Sequence, residues 1–132
     1  MTKTNHGALA LAAVLAGCGD HTTASATAST SPSQTLATIV QAYSDNAIQA
    51  KRTWAGKPVV VAGKFFSAGK TVDGVSILLS AGALVGLGEL RLRGQQDAFV
   101  AKLKKDDEVT MRCTVDPEND TQGTTLIDCV PT

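Results

Sequence analysis

The sequence predicts a mainly β (α+β) domain over residues 34–132, with the order helix, three strands, helix, two strands. Apolar residues recur at three- and four-residue spacing in residues 34–52 and 95–103, which is the period of a helix. β-Branched or alternating apolar residues fill most of 58–93 and 108–130, as in strands. A folding unit of this size has room for one small core.

The first helix is expected to begin at a Ser33 cap and to end near Arg52, where Lys51 and Arg52 suit its negative end. Its apolar positions form one stripe, which favours core packing over a groove for a partner. The stripe consists of Leu36, Ile39, Val40, Tyr43, Ala47 and Ala50.

Three strands follow. The first, from Pro58 to Phe66, contains Gly63, which predicts a bulge or sharp coil that lets one long strand serve two sheets. A turn is expected from Gly69 to Gly74, then a second strand over residues 75–80. The third strand, residues 89–93, alternates, so that Leu90 and Leu92 should face inward and Arg91 and Arg93 outward.

The second helix is expected over residues 95–103, with Phe99 and Leu103 four residues apart. Asp106 and Asp107 should form a turn. The fourth strand is predicted over residues 108–115, a polar turn over 116–123, and the fifth strand over 124–130.

Residues 1–17 have the pattern of an export signal. Lys3 gives a basic start, and the apolar run from Ala8 to Gly17 is too short to span a bilayer. The run ends in Leu15-Ala16-Gly17-Cys18, which resembles the lipobox of bacterial lipoproteins and implies cleavage before Cys18 and lipidation of its thiol. The alternative is a plain secretory peptide with Cys18 there by chance.

Residues 18–33 are rich in Ser, Thr and Ala, and this composition predicts a flexible tether between the lipid and the domain. We therefore expect a lipoprotein anchored in a bacterial cell envelope and facing the periplasm. Gly19, rather than Asp, after the lipidated cysteine favours the outer membrane where the source has one.

The order of elements resembles an OB-fold, a partly open five-stranded barrel with a helix between strands three and four. More closely, the domain resembles the tRNA_anti-like family of small OB-fold proteins, which includes lipoproteins. The resemblance covers residues 36–130 and is carried by Ala42-Tyr43, Asn46, Ala50, Trp54-Ala55-Gly56-Lys57, Val59-Val60-Val61-Ala62-Gly63, Leu103-Lys104-Lys105-Asp106-Asp107-Glu108-Val109-Thr110, Cys113 and Leu126-Ile127-Asp128-Cys129.

Cys113 and Cys129 fall on the fourth and fifth predicted strands, and a hairpin centred near Thr121 would place them opposite each other. In an oxidising compartment such a pair favours a structural disulfide. A zinc site is disfavoured because His6 and His21 both lie outside the domain. A redox dithiol is disfavoured because a Cys-x-x-Cys motif is missing.

Nothing in the sequence predicts catalysis, a cofactor or a metal, so we expect that the protein is not an enzyme. The domain has no histidine, and its glycines match neither a phosphate loop nor a dinucleotide fingerprint. Asp106, Asp107 and Glu108, like Asp116, Glu118 and Asp120 in the later turn, are expected to be solvated acids that lack the further ligands of a calcium loop.

Arg91 and Arg93 are the best candidates for ligand binding, because strands two and three form the usual ligand face of OB-folds. With Ser76 and Leu78 nearby, and Ser80 beside them, they could grip a phosphate or carboxylate. The plainer interpretation is that they are solubilising charges, with Glu89 as a partner. Lys102, Lys104 and Lys105 fit a solvated helix end better than a lipid-binding patch.

The expected partners are the lipid membrane, through acylated Cys18, and a protein, peptide or glycan of the envelope. The alternatives are an oligonucleotide, or a role as accessory or inhibitor of an envelope enzyme. Nucleic acid is disfavoured, because removal of residues 1–17 leaves 11 basic and 12 acidic residues and because aromatic residues are few. These are Tyr43, Trp54, Phe65, Phe66 and Phe99.

Overall fold

The structure is a computed structural model whose described residues are 30–120 and 123–132. The predicted signal sequence, Cys18 and residues 18–29 of the predicted tether therefore lie outside the described residues. No helix in the described part of the chain is long and apolar enough to cross a membrane.

Five strands in the described residues close into a barrel in the order β1-β2-β3-β5-β4. The β3–β5 pairing is parallel and the other described pairings are antiparallel. This confirms the predicted mainly β class and the five-stranded barrel. The strands are β1 (Pro58–Thr71), β2 (Gly74–Ser80), β3 (Leu87–Leu92), β4 (Glu108–Val115) and β5 (Thr124–Pro131).

β1 is longer than predicted and serves both sides of the barrel. Residues 58–64 pair with β4, whereas residues 64–71 pair with β2. The irregularity in its β2 pairing lies between Phe65 and Ser67, so the bulge predicted at Gly63 was placed wrongly. The turn predicted from residue 69 is likewise shorter, because β1 continues to Thr71 and β2 begins at Gly74.

Gly63 is explained by close packing instead. A Cβ built at this position would lie 2.5 Å from the carbonyl oxygen of Ser80 and 3.1 Å from Cδ2 of Leu36. Real Cβ atoms essentially never approach a backbone atom so closely, so only glycine lets β1 meet both β2 and the first helix here.

The first helix, α1 (Pro32–Trp54), begins two residues earlier than a Ser33 cap would allow. Ser31 is the cap: its Oγ accepts a hydrogen bond from the Gln34 backbone, and the Gln34 side chain accepts one from the Ser31 backbone. Pro32 then occupies the first turn, where its missing N–H costs nothing. The helix is interrupted at Asn46, whose Oδ1 accepts from the Gln49 backbone and restarts it.

The predicted stripe on α1 faces the barrel. Leu36, Ile39, Val40, Tyr43 and Ala50 are buried. The barrel interior is filled by the alternating residues of the strands, which include Val61, Ile77, Leu79, Leu90, Met111, Val115 and Leu126, all fully buried. Leu90 and Leu92 face inward as predicted.

The second helix, α2 (Asp97–Ala101), is shorter than the predicted 95–103. It lacks a side-chain cap at Gln96. At its other end the Lys102 and Leu103 backbones donate to residues three positions earlier, which tightens the last turn and ends the helix. Phe99 and Leu103 still pack against the core.

Cys113 and Cys129 are joined by a disulfide, with their Cα atoms 4.2 Å apart. The β4–β5 pairing is irregular at this point, where Asp128 has a φ of 53° and is the extra residue on β5. A link across 16 residues stabilises the fold by about 3 kcal/mol in the chain-entropy model. It fixes the last strand to the barrel.

Gly63→Ala should lower the free energy of unfolding by roughly 1–3 kcal/mol, because the added methyl group overpacks the contact with Ser80 and Leu36. Gly69→Ala is the matched control on the same strand, since its Cβ would meet nothing within 4 Å. Chemical denaturation of both variants checks this, and equal effects at the two glycines would contradict the packing explanation.

Candidate binding site

The outer face of β2 and β3 carries three of the four residues predicted to bind a ligand. Ser76 lies opposite Arg91, and Leu78 lies opposite Glu89. Arg93 is exposed but lies beyond the end of β3, and its backbone N–H donates to the Cys129 carbonyl. The structure therefore brings Ser76, Leu78 and Arg91 together on one face and places Arg93 past the end of that strand.

Arg91 forms an ion pair with Glu89, with 3.3 Å between Nε and Oε1. Both side chains are accessible to solvent, so the pair contributes little to stability. Glu89 is the partner expected if Arg91 is a solubilising charge rather than a ligand-binding residue. The negative charge of Glu89 offsets the positive charge of Arg91, which an anionic ligand would need for binding.

A cavity of about 410 Å³ opens between the outer face of β3 and the turn that joins β4 to β5, residues 116–123. We call it the acidic cavity, because the described residues that line it include four carboxylates and one guanidinium. Its lining residues are Glu89, Arg91, Asp116, Glu118, Asn119, Asp120, Gly123 and Thr125. Such a lining attracts cations and repels phosphate.

Asn119 holds the turn in place. Its side-chain amide donates to the Thr125 carbonyl and its oxygen accepts from the Thr125 backbone N–H, both at 2.8 Å. Asp116 adds a further bond, since its Oδ1 accepts from the Glu118 backbone at 2.9 Å. Because Thr125 pairs with Glu89 on β3, these bonds fix the acidic turn beside that strand.

A second cavity, of about 210 Å³, shares Asp120 and Gly123 with the first. We call it the Tyr43 cavity. It has an apolar side from α1 and β3 and a polar side from hydroxyls and Asp120. Its lining residues are Val40, Tyr43, Ser44, Val85, Gly86, Leu87, Asp120, Gly123 and Thr124.

The Tyr43 hydroxyl has no hydrogen-bond partner among the described residues, although the side chain is only 1% exposed. Burial raises the pKa of Tyr43 above 10, the nearby Asn119 side chain opposes this, and the charge of Asp116 adds to it. A buried hydroxyl without a partner costs free energy.

The described carboxylates of this region are not grouped in the way that metal ligands are. Within residues 30–120 and 123–132, no three His, Cys, Asp or Glu side chains are grouped so that they could hold a metal ion.

Phe66 is the aromatic residue most open to solvent, at 48% exposure, since Tyr43 and Phe65 are buried and Phe99 packs against the core. The Lys105 amine lies 5.5 Å from the centre of the Phe66 ring, as in a cation–π contact. This basic and aromatic pair lies outside the acidic cavity, whose lining includes neither residue.

The acidic cavity was not predicted, because residues 116–120 were interpreted only as a solvated turn. The position of Glu89 could have been predicted in part. It lies two residues from Arg91 on one strand, so both side chains must share the outward face. The approach of the turn to β3 depends on the parallel β3–β5 pairing, which joins distant parts of the chain. The helical spacing of the apolar stripe predicts that Tyr43 is buried, but it does not show whether the Tyr43 hydroxyl has a hydrogen-bond partner.

A closed five-stranded barrel with this strand order and a helix between β3 and β4 is an OB-fold. A family model named tRNA_anti-like matches residues 8–130. The chain belongs to the tRNA_anti-like family. The match extends N-terminal to the barrel and includes the residues that resemble a lipobox.

One solved structure supports the fold. A Klebsiella pneumoniae protein, provisionally assigned as a nucleic acid-binding lipoprotein, is 20% identical, with a TM-score of 0.62 over 86% of this chain and 98% of that one. Two OBodies bound to hen egg-white lysozyme, AM3L15 and AM1L10, are 16% and 20% identical over 58% and 60% of this chain and 81% of each of theirs, with TM-scores of 0.47 and 0.46. Among curated proteins, none matches this chain.

Tyr43→Phe should leave the free energy of unfolding unchanged or raise it by roughly 1 kcal/mol, because it removes a buried hydroxyl that has no partner. Urea denaturation measures the change. A loss of about 1 kcal/mol would instead mean that the hydroxyl is bonded to Asn119.

The pH dependence gives a second measurement on the same residue. Tyr43 is the only tyrosine, so absorbance near 295 nm follows its pKa alone, and the midpoint of the folded protein should lie above 10. The unfolded chain then loses this proton first as the pH rises, so the Tyr43 contribution to the free energy of unfolding falls above pH 10. Tyr43→Phe should reduce that fall.

Proposed function

We propose that this protein is a cell-envelope lipoprotein, anchored by acylated Cys18, whose OB-fold module binds a cationic segment of an envelope protein or peptide and performs no catalysis. The acidic cavity is the observation that carries this proposal. It occupies β3 and the β4–β5 turn, which belong to the usual ligand face of OB-folds, and its charge favours a basic ligand.

Three observations support the anchor. Residues 15–18 resemble a lipobox and end a short apolar run. The family match begins at residue 8, within the predicted signal sequence. The Klebsiella pneumoniae protein of the same fold is provisionally assigned as a lipoprotein. The periplasm-facing side, and the outer membrane that Gly19 favours, belong to this proposal as well.

The two cavities suit a lysine or arginine side chain. Its aliphatic stem would lie against Val40, Val85 and Leu87 in the Tyr43 cavity. Its charged end would meet the carboxylates of the acidic turn. A ligand of this kind adds positive charge to a lining in which four carboxylates face one guanidinium.

Single-stranded nucleic acid is the second candidate. It is favoured by the cation–π pair of Phe66 and Lys105 and by the provisional assignment of the Klebsiella pneumoniae protein as nucleic acid-binding. Such a ligand would bind at Phe66 and Lys105, away from the acidic cavity. Its affinity would fall steeply with salt.

Intact mass measured on protein from membranes of the native host tests the anchor. We expect a diacylglyceryl-modified chain that begins at Cys18 and gains about two mass units on reduction, as the Cys113–Cys129 disulfide opens. A soluble chain without lipid would contradict the proposed localisation.

Fluorescence anisotropy on the lipidated protein in detergent tests the ligand class. A labelled peptide of alternating lysine and glycine should bind, and a glutamate and glycine peptide should not. The double variant Asp116→Asn with Glu118→Gln should weaken binding about tenfold, or ~1.4 kcal/mol, because it removes two charges from the cavity.

The control is Asp73→Asn with Glu108→Gln, which changes the net charge equally outside the acidic cavity. Equal losses in the two double variants would contradict a specific site. Salt-dependent binding of a labelled oligothymidine that is lost in Lys105→Gln, with no peptide binding, would favour the second candidate.

A further inference from the structure

The loop between β2 and β3, residues 81–86, presents apolar surface to solvent. With the next two residues it forms the run Ala-Gly-Ala-Leu-Val-Gly-Leu-Gly, which contains no polar side chain. Leu84 at its tip is 98% exposed, and Ala83 and Leu87 are also exposed. A lone exposed leucine is ordinary, but an uncharged run of this length with a leucine at its tip is a candidate contact surface.

The loop is held in a shape that keeps Leu84 away from the core. The Ala81 backbone N–H donates to the Gly86 carbonyl at 2.9 Å, and the Val85 N–H donates to Gly82 at 3.2 Å. Gly82 and Gly86 have φ values of 127° and 115°, which other residues rarely adopt. Val85 packs against the core, so the tip is raised on a fixed base.

The loop lies beside the point where the chain enters the domain. Ser33, in the first turn of α1, lines one cavity together with Ser80, Ala81, Gly82 and Ala83. The segment from Cys18 therefore joins the barrel at the end that carries Leu84. A coil of the length and composition of residues 19–30 spans about 20 Å on average, which keeps this end close to an anchoring lipid.

We propose that the 81–86 loop is a membrane contact, which inserts Leu84 at the boundary of headgroups and acyl chains. This inference rests on the anchoring part of the proposed function. One leucine would not hold a free protein on a bilayer. The acylated Cys18 already supplies a high local concentration of lipid, so the loop needs only to orient the barrel.

The charge of the region fits a lipid surface. The loop itself has no charge to desolvate, and the wall it shares with Ser33 has both Lys64 and Glu108, one of each sign. Contact therefore depends on the apolar side chains, and it should occur on vesicles of neutral phosphatidylcholine.

Leu84→Trp tests the contact in lipidated protein reconstituted into phosphatidylcholine vesicles, some with brominated acyl chains that quench tryptophan. The control is Val72→Trp, because Val72 is a fully exposed apolar residue in the β1–β2 turn, at the other end of β2. Emission of the unsubstituted protein gives the background from Trp54. Both sites are exposed, so both variants should fold.

The indole at position 84 should lose about half of its emission to brominated lipid, as expected for a side chain buried within roughly 10 Å of the interface. The indole at position 72 should lose little. Equal quenching at both positions, or none at position 84, would overturn the proposal. Burial at position 84 that rises with protein density rather than with lipid would indicate a second copy as the occupant and would also overturn it.

The anchor can be supplied independently. Where intact mass shows no native lipid, the Cys18 thiol can be coupled to a maleimide lipid, since Cys113 and Cys129 are joined to each other. Quenching at position 84 in that sample would support the loop contact even though the native anchor had failed. Its absence in protein that is shown to be lipidated would overturn the loop contact alone.

Discussion

The contact of Leu36 with two glycines fixes the position of α1 on the barrel. Cβ atoms at Gly63 and Gly88 would each come within about 3 Å of the Leu36 side chain. Because both residues are glycines, α1 can pack directly against the backbones of β1 and β3. A fully buried leucine and a helix stripe then close one side of the barrel. Tyr43, two turns further along, is thereby placed at the wall of its cavity, and Ser33 is placed beside the 81–86 loop.

The second constraint on the structure is the register of β5 against its two neighbouring strands. Asp128 adds one residue to this strand, and the register shifts against both β4 and β3 at this point. The disulfide between Cys113 and Cys129 fixes the shifted register, and its contribution of about 3 kcal/mol is a large share of the stability of a small domain. Because β5 is fixed, Thr125 can hold Asn119 on one side and pair with Glu89 on the other. The acidic cavity therefore depends on the regular part of the β3–β5 pairing, which comes before the register shift.

Much of the fold could be predicted because its signals are local. The bounds of β4 and the inward direction of Leu90 and Leu92 follow from alternation alone. Gly63 was misinterpreted because a glycine can serve a bulge or a close approach, and the sequence does not say which. The bulge at Asp128 carries no glycine, so nothing marked it. The acidic cavity combines Glu89 with Asp116, Glu118 and Asp120, and only the non-local β3–β5 pairing brings these together. The hydrophobic periodicity of a sequence cannot predict a site that depends on such a non-local pairing.

Membership of a family named for nucleic-acid binding does not decide the ligand, because OB-folds carry many functions and the site determines which one. Here the usual ligand face has carboxylates where phosphate recognition would need cations, and its one arginine is already paired. The Tyr43 cavity shares Val85 and Gly86 with the 81–86 loop. If that loop rests on lipid, the cavity opens close to the membrane surface. A cationic partner would then have to present its basic segment near the bilayer. Partners whose basic segments lie far from the bilayer would be excluded, so the orientation of the barrel would contribute to the specificity of the protein.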